Sequence, residues 1–424
     1  VCCHGFSNNL RIIDPDLFHH FWADLISDLW LTEEVSLSSS TLTRVPLSAN
    51  EFPRTFSVLQ KGVADRVAPG FVAGFWSRKN PEIYRSAHFG VRRWLPSEQP
   101  LSEDTIFDLA SVTKVFGTAS MIADLVERGK LKWDTRVSDI LKGYPFKEIR
   151  IRHLLSHTGG FIAWQPLWEM LNAKFSPKHI SEISVENRQS AMREIVLAIA
   201  PEVPVETRAL YSDISFLILG FVIEELTQLP LDRAITELLW RPMGIERAYY
   251  RHVTTKAAQP KDLNSGVAAT EDSAWRGGIL QGQVHDDNTW AMGGYAGHAG
   301  AFGDVRDVLY FAKRLFEGHF SLKIRDEMWT PVDWPQGCTR TLGWDTPSAE
   351  NSLLGEKMSH RSVGHWGYTG TSLWIDPDRE FAVALLSNRV HPTRENMLIK
   401  ELRPKFHDAL IEDLTQVGDF KQNL

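Results

Sequence analysis

Ser111 and Lys114 stand three residues apart in the segment Ser111-Val112-Thr113-Lys114. A serine hydroxyl is a poor nucleophile at its free pKa and needs a neighbouring base. A lysine can be that base once burial or nearby cations make its neutral form accessible. Residues three apart share one face of a helix, so the two side chains can meet if the segment is helical. The spacing predicts a helix over Thr113–Arg128, closed by Gly129. Ser111 would then sit at a helix N-terminus, where free N–H groups and the helix dipole favour developing negative charge. The bare pattern is weak, because about one such spacing is expected by chance in a chain of 424 residues. It fits a helix cap with a surface lysine equally well.

Two further segments carry chemistry. Tyr211-Ser212-Asp213 precedes the apolar helix expected over Ile214–Thr227, so Ser212 or Asp213 is a natural N-cap. Its phenol could also carry a proton beside Lys114 and pass it to a leaving group. The third segment is His365-Trp366-Gly367. Three other places fit His-x-Gly: His88, His157 and His298. His365 is preferred because it leads into a C-terminal hairpin, where an edge strand could face a cleft. There the Tyr368 N–H, with the Ser111 N–H, could form an oxyanion hole. His365 could orient a substrate carboxylate or assist proton movement.

These residues need a frame that brings distant segments together. Phe71–Trp76 and Ile83–Val91 read as strands near the start, after a helix over Ser57–Val67. Thr371–Ile375 and Phe381–Leu386 read as a hairpin around Asp376-Pro377-Asp378-Arg379, followed by a helix over Glu395–Leu414. Between them, Thr113 to about Glu317 reads as helices and loops. One sheet built from both ends, with a helical lobe inserted, is an α+β arrangement with a cleft where lobe meets sheet. Residues 1–50 read as an N-terminal extension with one helix over Leu17–Trp30 and a Ser-rich linker over Ser36–Thr43. Residues 51–424 read as one domain.

Composition narrows the function. The formal net charge is −7, which argues against a nucleic-acid binder. The apolar run Phe216–Ile223 is far short of the ~20 residues that span a bilayer. Three cysteines, two of them adjacent, imply neither a disulfide framework nor a metal site. His285, Asp286 and His298 have metal-capable side chains, but they read as a hydrogen-bond network that fixes a loop, with no metal. Most of the fifteen tryptophans fill a core, while a few such as Trp164 and Trp366 could line the cleft.

Taken together, the three segments resemble the ordered motifs of the serine β-lactamase and penicillin-binding protein superfamily. Phe107–Lys114, Ile151–Gly160 and Gly367–Trp374 are similar to the branch that holds class C β-lactamases, D-Ala-D-Ala carboxypeptidases and related esterases. The segments around Thr270–Arg276, Val284–Asn288 and Gly297–Gly300 are similar to cell-envelope members that trim peptidoglycan peptides. The resemblance covers about residues 52 to 415. It implies an antiparallel sheet flanked by helices, with the active site at its interface with the helical lobe. It implies an acyl-enzyme on Ser111, with Lys114 and Tyr211 as proton carriers. Asp213, His365, Gly367 and Tyr368 would bind the substrate and its oxyanion. The expected activity is that of a D-Ala-D-Ala carboxypeptidase, the alternatives being a carboxylesterase or a β-lactamase. No cofactor is implied. A monomer outside the cytoplasm, acting on a small molecule or a peptidoglycan peptide, is expected. Two departures stand out. The second motif commonly ends in Asn, and here it is Asp213; the third commonly reads Lys-Thr-Gly, and here it is His365-Trp366-Gly367.

Overall fold

The computed structural model describes residues 42–253 and 266–418. The expected helix over Leu17–Trp30 lies outside them, as does most of the Ser-rich segment. A mixed sheet is built from β1 (Thr43–Pro46), β2 (Gly70–Ser77), β3 (Ile83–Arg93), β4 (Val363–Trp366), β5 (Ser372–Asp376) and β6 (Phe381–Ser387). Their order across the sheet is β1-β3-β2-β6-β5-β4, with the short strand Gln99–Pro100 also paired to β3. All these pairings are antiparallel except β1 on β3, which is parallel. Thr43–Pro46, read from sequence as part of an extension, is therefore an edge strand of the sheet. Thr-Arg-Val-Pro carries one apolar β-branched residue and no alternating signal, and only the pairing with β3 makes it a strand.

The strands at the centre of the sheet are apolar on both faces because both faces are covered. On β2, Phe71, Ala73 and Phe75 join a core with α1 (Pro53–Ala64) and α5 (Ile399–Gln416). Gly74 and Trp76 face α4 (Val305–Phe316) instead. Full burial of side chains such as Phe71, Phe381 and Leu385 contributes roughly 1.5–3 kcal/mol each before entropy is counted. Helix α1 begins at Pro53, four residues before the expected start, since proline is well tolerated in the first turn.

The segment between β3 and β4 is the inserted lobe. It is not purely helical, as the sequence had suggested. Phe107–Asp108 pairs with Ala301–Gly303, which pairs with Tyr249–Tyr250, and Ala269–Ser273 pairs with Gly278–Gln281. These strands are too short to leave a periodic signal. The expected helix over Thr113–Arg128 is also broken. A 3-10 turn covers Ala110–Val112, a π-helical stretch covers Lys114–Ala119, and α2 (Ser120–Glu127) follows. The Ser120 hydroxyl donates to the Val115 carbonyl at 2.7 Å, which supports the wide turn. Helix α3 (Asp213–Thr227) lies behind this stretch and is buried over Ile214–Ile223. Among the described residues no single helix is long and apolar enough to cross a membrane.

Candidate active site

Ser111 is placed by the residues just before it. The Asp108 carboxylate accepts the Ala110 N–H at 2.8 Å and the His285 N–H at 2.6 Å. Leu109 donates its N–H to the Ala301 carbonyl at 2.9 Å. Between these anchors Ala110 is forced to φ +46°, a left-handed conformation that costs a non-glycine residue roughly 1–2 kcal/mol. The strain is held by the flanking bonds, and it turns Ser111 toward α3.

Lys114 is fully buried. Its ammonium donates to Ser111 Oγ at 3.1 Å, to Asp213 Oδ1 at 2.8 Å and to the His298 carbonyl at 3.1 Å. These three acceptors lie on three different segments of the chain and hold the ammonium in place. One turn on, Thr118 donates to the Gly297 carbonyl at 2.7 Å. The two bonds stitch the 297–298 loop to the lysine face. Burial pushes the lysine pKa down, but Asp213 and Tyr211 more than offset it, and the group lies above its ordinary value. The resting lysine is therefore charged.

Tyr211 is carried in by the chain entering α3. Its ring lies 4.8 Å from the Lys114 nitrogen, and its phenol is within hydrogen-bonding reach of both Lys114 and Ser111. Burial raises the phenol above its ordinary pKa, with Asp213 adding to that and Lys114 opposing it, so the resting phenol is neutral. Ser212 occupies the N-cap position of α3, but its hydroxyl donates to the Ile162 carbonyl rather than capping the helix. The Ser212 N–H donates to His157 Nδ1 at 3.0 Å. The His157 ring also packs on Tyr211 at 4.7 Å. Burial, then the nearby Arg340 and Lys114 charges, hold His157 well below its ordinary pKa. It is a neutral brace for the tyrosine. The sequence placed His157 only among the competing His-x-Gly sites, and its place in Ile151–Gly160 was the available signal.

His365 lies on β4, the edge strand, with its ring centroid 5.7 Å from that of Tyr211. Its Nδ1 pairs with the Trp366 carbonyl at 2.8 Å, while Nε2 is buried with no partner among the described residues. Burial, then the Lys114 charge, holds it well below its ordinary pKa. It is neutral, not a cation for a carboxylate. Trp366 points to the other face of the sheet, as strand alternation requires, and packs on Trp374, Arg403 and His407. The expectation that Trp366 lines the cleft is therefore wrong; Trp164 is half exposed beside Ala163, whose carbonyl accepts the Asp213 N–H.

The turn after β4 is tied to the serine segment. Thr369 donates to the Asp108 carbonyl at 2.7 Å and Thr371 to the Leu109 carbonyl at 2.9 Å. Gly367 fits only as glycine, because a Cβ there would lie 2.0 Å from Thr371 Oγ1 and 2.7 Å from the Leu109 carbonyl. Among the described residues the Tyr368 N–H makes no backbone hydrogen bond. The Tyr368 ring is exposed, stacked on His285 at 5.8 Å and covered by Arg389 at 4.4 Å.

The structure thus brings Ser111, Lys114, Tyr211, Asp213 and His365 together, with Gly367 and Tyr368 in the adjoining turn. His285, Asp286 and His298 do not converge. His285 pairs with Glu271 at 3.1 Å, and His298 pairs with Asp286 at 2.9 Å. The described residues contain no group of three or more His, Cys, Asp or Glu side chains placed to hold a metal. Arg340 was not singled out in the sequence. Its guanidinium lies 5.7 Å from the Tyr211 ring centroid and pairs with Asp345, whose backbone is bridged to Gly364 beside His365.

A partly exposed serine on a buried lysine, a phenol and an edge strand at a sheet–lobe junction define a serine hydrolase of the penicillin-recognising architecture. The chain belongs to the Beta-lactamase family, whose pattern it matches over residues 56–403. It is 29% identical over 317 residues to a Salmonella gallinarum protein named "Putative D-alanyl-D-alanine carboxypeptidase", covering 68% of this chain and 70% of that one. A Salmonella typhimurium protein of the same name is 28% identical over the same shares. Solved structures share the fold. The octameric penicillin-binding protein homologue from Pyrococcus abyssi superposes with a TM-score of 0.61 at 22% identity, covering 86% of this chain and 77% of that one. EstCE1, described as a hydrolase with promiscuous acyltransferase activity, gives 0.64 at 20% identity, covering 85% and 98%. Unliganded simvastatin synthase from Aspergillus terreus gives 0.63 at 19% identity, covering 87% and 100%.

Proposed function

We propose that the protein hydrolyses D-alanyl-D-alanine-type peptides through an acyl-enzyme on Ser111. The observation that carries this is the Lys114 nitrogen 3.1 Å from Ser111 Oγ, with the Tyr211 phenol beside both. In the resting state the lysine is charged and the phenol neutral, so one proton must leave this group before Ser111 can be deprotonated. The basic partner then takes the serine proton as Oγ attacks the carbonyl. The Ser111 and Tyr368 N–H groups would receive the developing oxyanion. Tyr211 hands a proton to the leaving amine, and water attacking by the reverse route releases the acid. The names carried by the Salmonella relatives support a carboxypeptidase. Such a substrate belongs to the cell envelope, which would place the protein outside the cytoplasm.

An esterase is the second reading, favoured by one observation. His365 is neutral and Trp366 is turned away, so the third motif offers neither the cation nor the hydroxyl that would hold a terminal carboxylate. Intact mass after incubation with a penicillin, beside Ser111→Ala, separates the two. A lasting adduct lost in the variant supports the peptidase. Ester turnover lost in the variant, with no adduct, supports the esterase. An adduct or turnover that survives the substitution removes Ser111 from the mechanism.

A further inference from the structure

Asp213 stands where an amide side chain would both donate and accept. A carboxylate can only accept. One of its oxygens, Oδ1, is taken by Lys114 at 2.8 Å. Among the described residues no hydrogen bond engages the other oxygen. The two partners also differ in access: the Lys114 side chain is 0% exposed, while Asp213 keeps 16%. Of the two partners only Asp213 reaches solvent, so its carboxylate is what an incoming molecule would meet, one lysine nitrogen away from the nucleophile.

The surrounding charges leave that oxygen available. Tyr211, from the chain before α3, is neutral. His157, after the short helix Ile151–Leu155, and His365, on β4, are also neutral. Arg340, on the segment bridged to β4, is paired with Asp345 at 2.9 Å. Lys114 and Asp213 balance each other. An approaching carbonyl oxygen would meet an acceptor and be repelled, whereas an N–H donor, above all a cationic one, would find a charge-assisted partner.

We propose that Asp213 selects substrates whose acyl part carries a protonated amine, and that binding of this amine helps to free Lys114 for catalysis. This rests on the acyl-enzyme reading. The second half follows from electrostatics. A substrate ammonium on the free oxygen adds a like charge beside Lys114 and takes a share of the carboxylate that stabilises it. Both effects favour the neutral lysine. The correct substrate would then lower the barrier to its own acylation.

The test uses ethyl esters of glycine, β-alanine and 6-aminohexanoic acid, which hold the amine at increasing distance, each beside its N-acetyl counterpart. They are compared near pH 7 with the whole chain, Asp213→Asn and a Ser111→Ala blank. The expected result is a kcat/KM preference of at least about 10-fold for one amine over its N-acetyl partner in the native protein. In Asp213→Asn the ratio falls to about 1 or reverses, since an amide again offers a donor to the acetyl carbonyl. The rising limb of kcat against pH is expected at lower pH for the preferred amine than for its acetylated partner, with the gap narrowed in the variant. The ratio cancels any general change in lysine basicity. It is read first in the native protein, so a misfolded variant does not shield the proposal. No preference in the native protein, or one unchanged in Asp213→Asn, overturns it. If Ser111→Ala turns over the esters as fast as the native chain, the acyl-enzyme reading falls as well. If Ser111 is acylated and the ratios are flat, only the amine proposal falls.

Discussion

Asp213 holds Lys114 in its charged form, with the carboxylate 2.8 Å from the ammonium. The base that the chemistry needs is thus stored as its conjugate acid. Activity must rise as pH rises through the pKa of the coupled lysine–tyrosine group, which belongs to the pair and not to either residue. Removing the carboxylate lowers the lysine pKa. Asp213→Asn is therefore expected to move the rising limb of kcat/KM to lower pH by about 1 unit or more. The profile should be taken with a neutral ester. An unmoved limb would mean that the lysine does not set it.

The Tyr211 phenol is the group placed to protonate a leaving group. Tyr211→Phe is expected to lower turnover by about 10²–10⁴-fold. The His157 contact is with the ring, which phenylalanine keeps, so the thermal midpoint should move little. Steady-state kinetics beside a melting curve checks both. A change of less than about threefold in turnover would leave the phenol as packing.

Thr371 pins the β4–β5 turn to the Leu109 carbonyl, two residues before the nucleophile. Thr371→Val keeps the shape and removes the bond. The Leu109 carbonyl keeps the Val112 N–H at 3.0 Å, so the cost in stability is that of one hydrogen bond, about 1 kcal/mol. The Tyr368 N–H would also lose its fixed distance from Ser111. A fall of roughly 10-fold or more in kcat, larger than any change in KM, is the expected signature of a misplaced oxyanion hole.

His407 sits on α5 with both ring nitrogens buried and without partners among the described residues. Burial, then the Arg403 charge, lowers its pKa to about 3. The unfolded chain binds this proton near pH 6.5 and the folded chain only near 3. Stability is thus fully present above the unfolded value and is lost as pH falls through that window. His407→Phe removes the linkage. Between pH 7 and 5 it is expected to lessen the loss of unfolding free energy by about 2 kcal/mol. Denaturant titrations at the two pH values measure it, and an unchanged difference would mean that His407 is not buried neutral.

Much of the arrangement was legible in the chain. The apolar runs of β2 and β6 and the turn at Asp376 are local signals. The Asp376 carboxylate accepts the N–H groups of Asp378 and Arg379, as the Asp-Pro-Asp pattern implies. Other features were hidden. β1 and the strand Phe107–Asp108 exist only through their partners. The wide turn at Lys114–Ala119 leaves no mark on the spacing of apolar residues. Trp366 looked like a cleft residue because its motif faces the cleft, but alternation along β4 sends it to α5.

The sequence by itself determined which groups could react: a serine, a lysine, a tyrosine and a histidine in ordered segments, and an acid in place of an amide. Residue type and short-range spacing are enough for that, because they fix chemistry and local conformation. Only the tertiary structure decided their charge states and their neighbours. Lys114 and Asp213 lie 99 residues apart in sequence and 2.8 Å apart in space. The neutrality of His157 and His365 comes from burial by elements far away in the chain. Protonation depends on distance and solvent access, and both are set by packing.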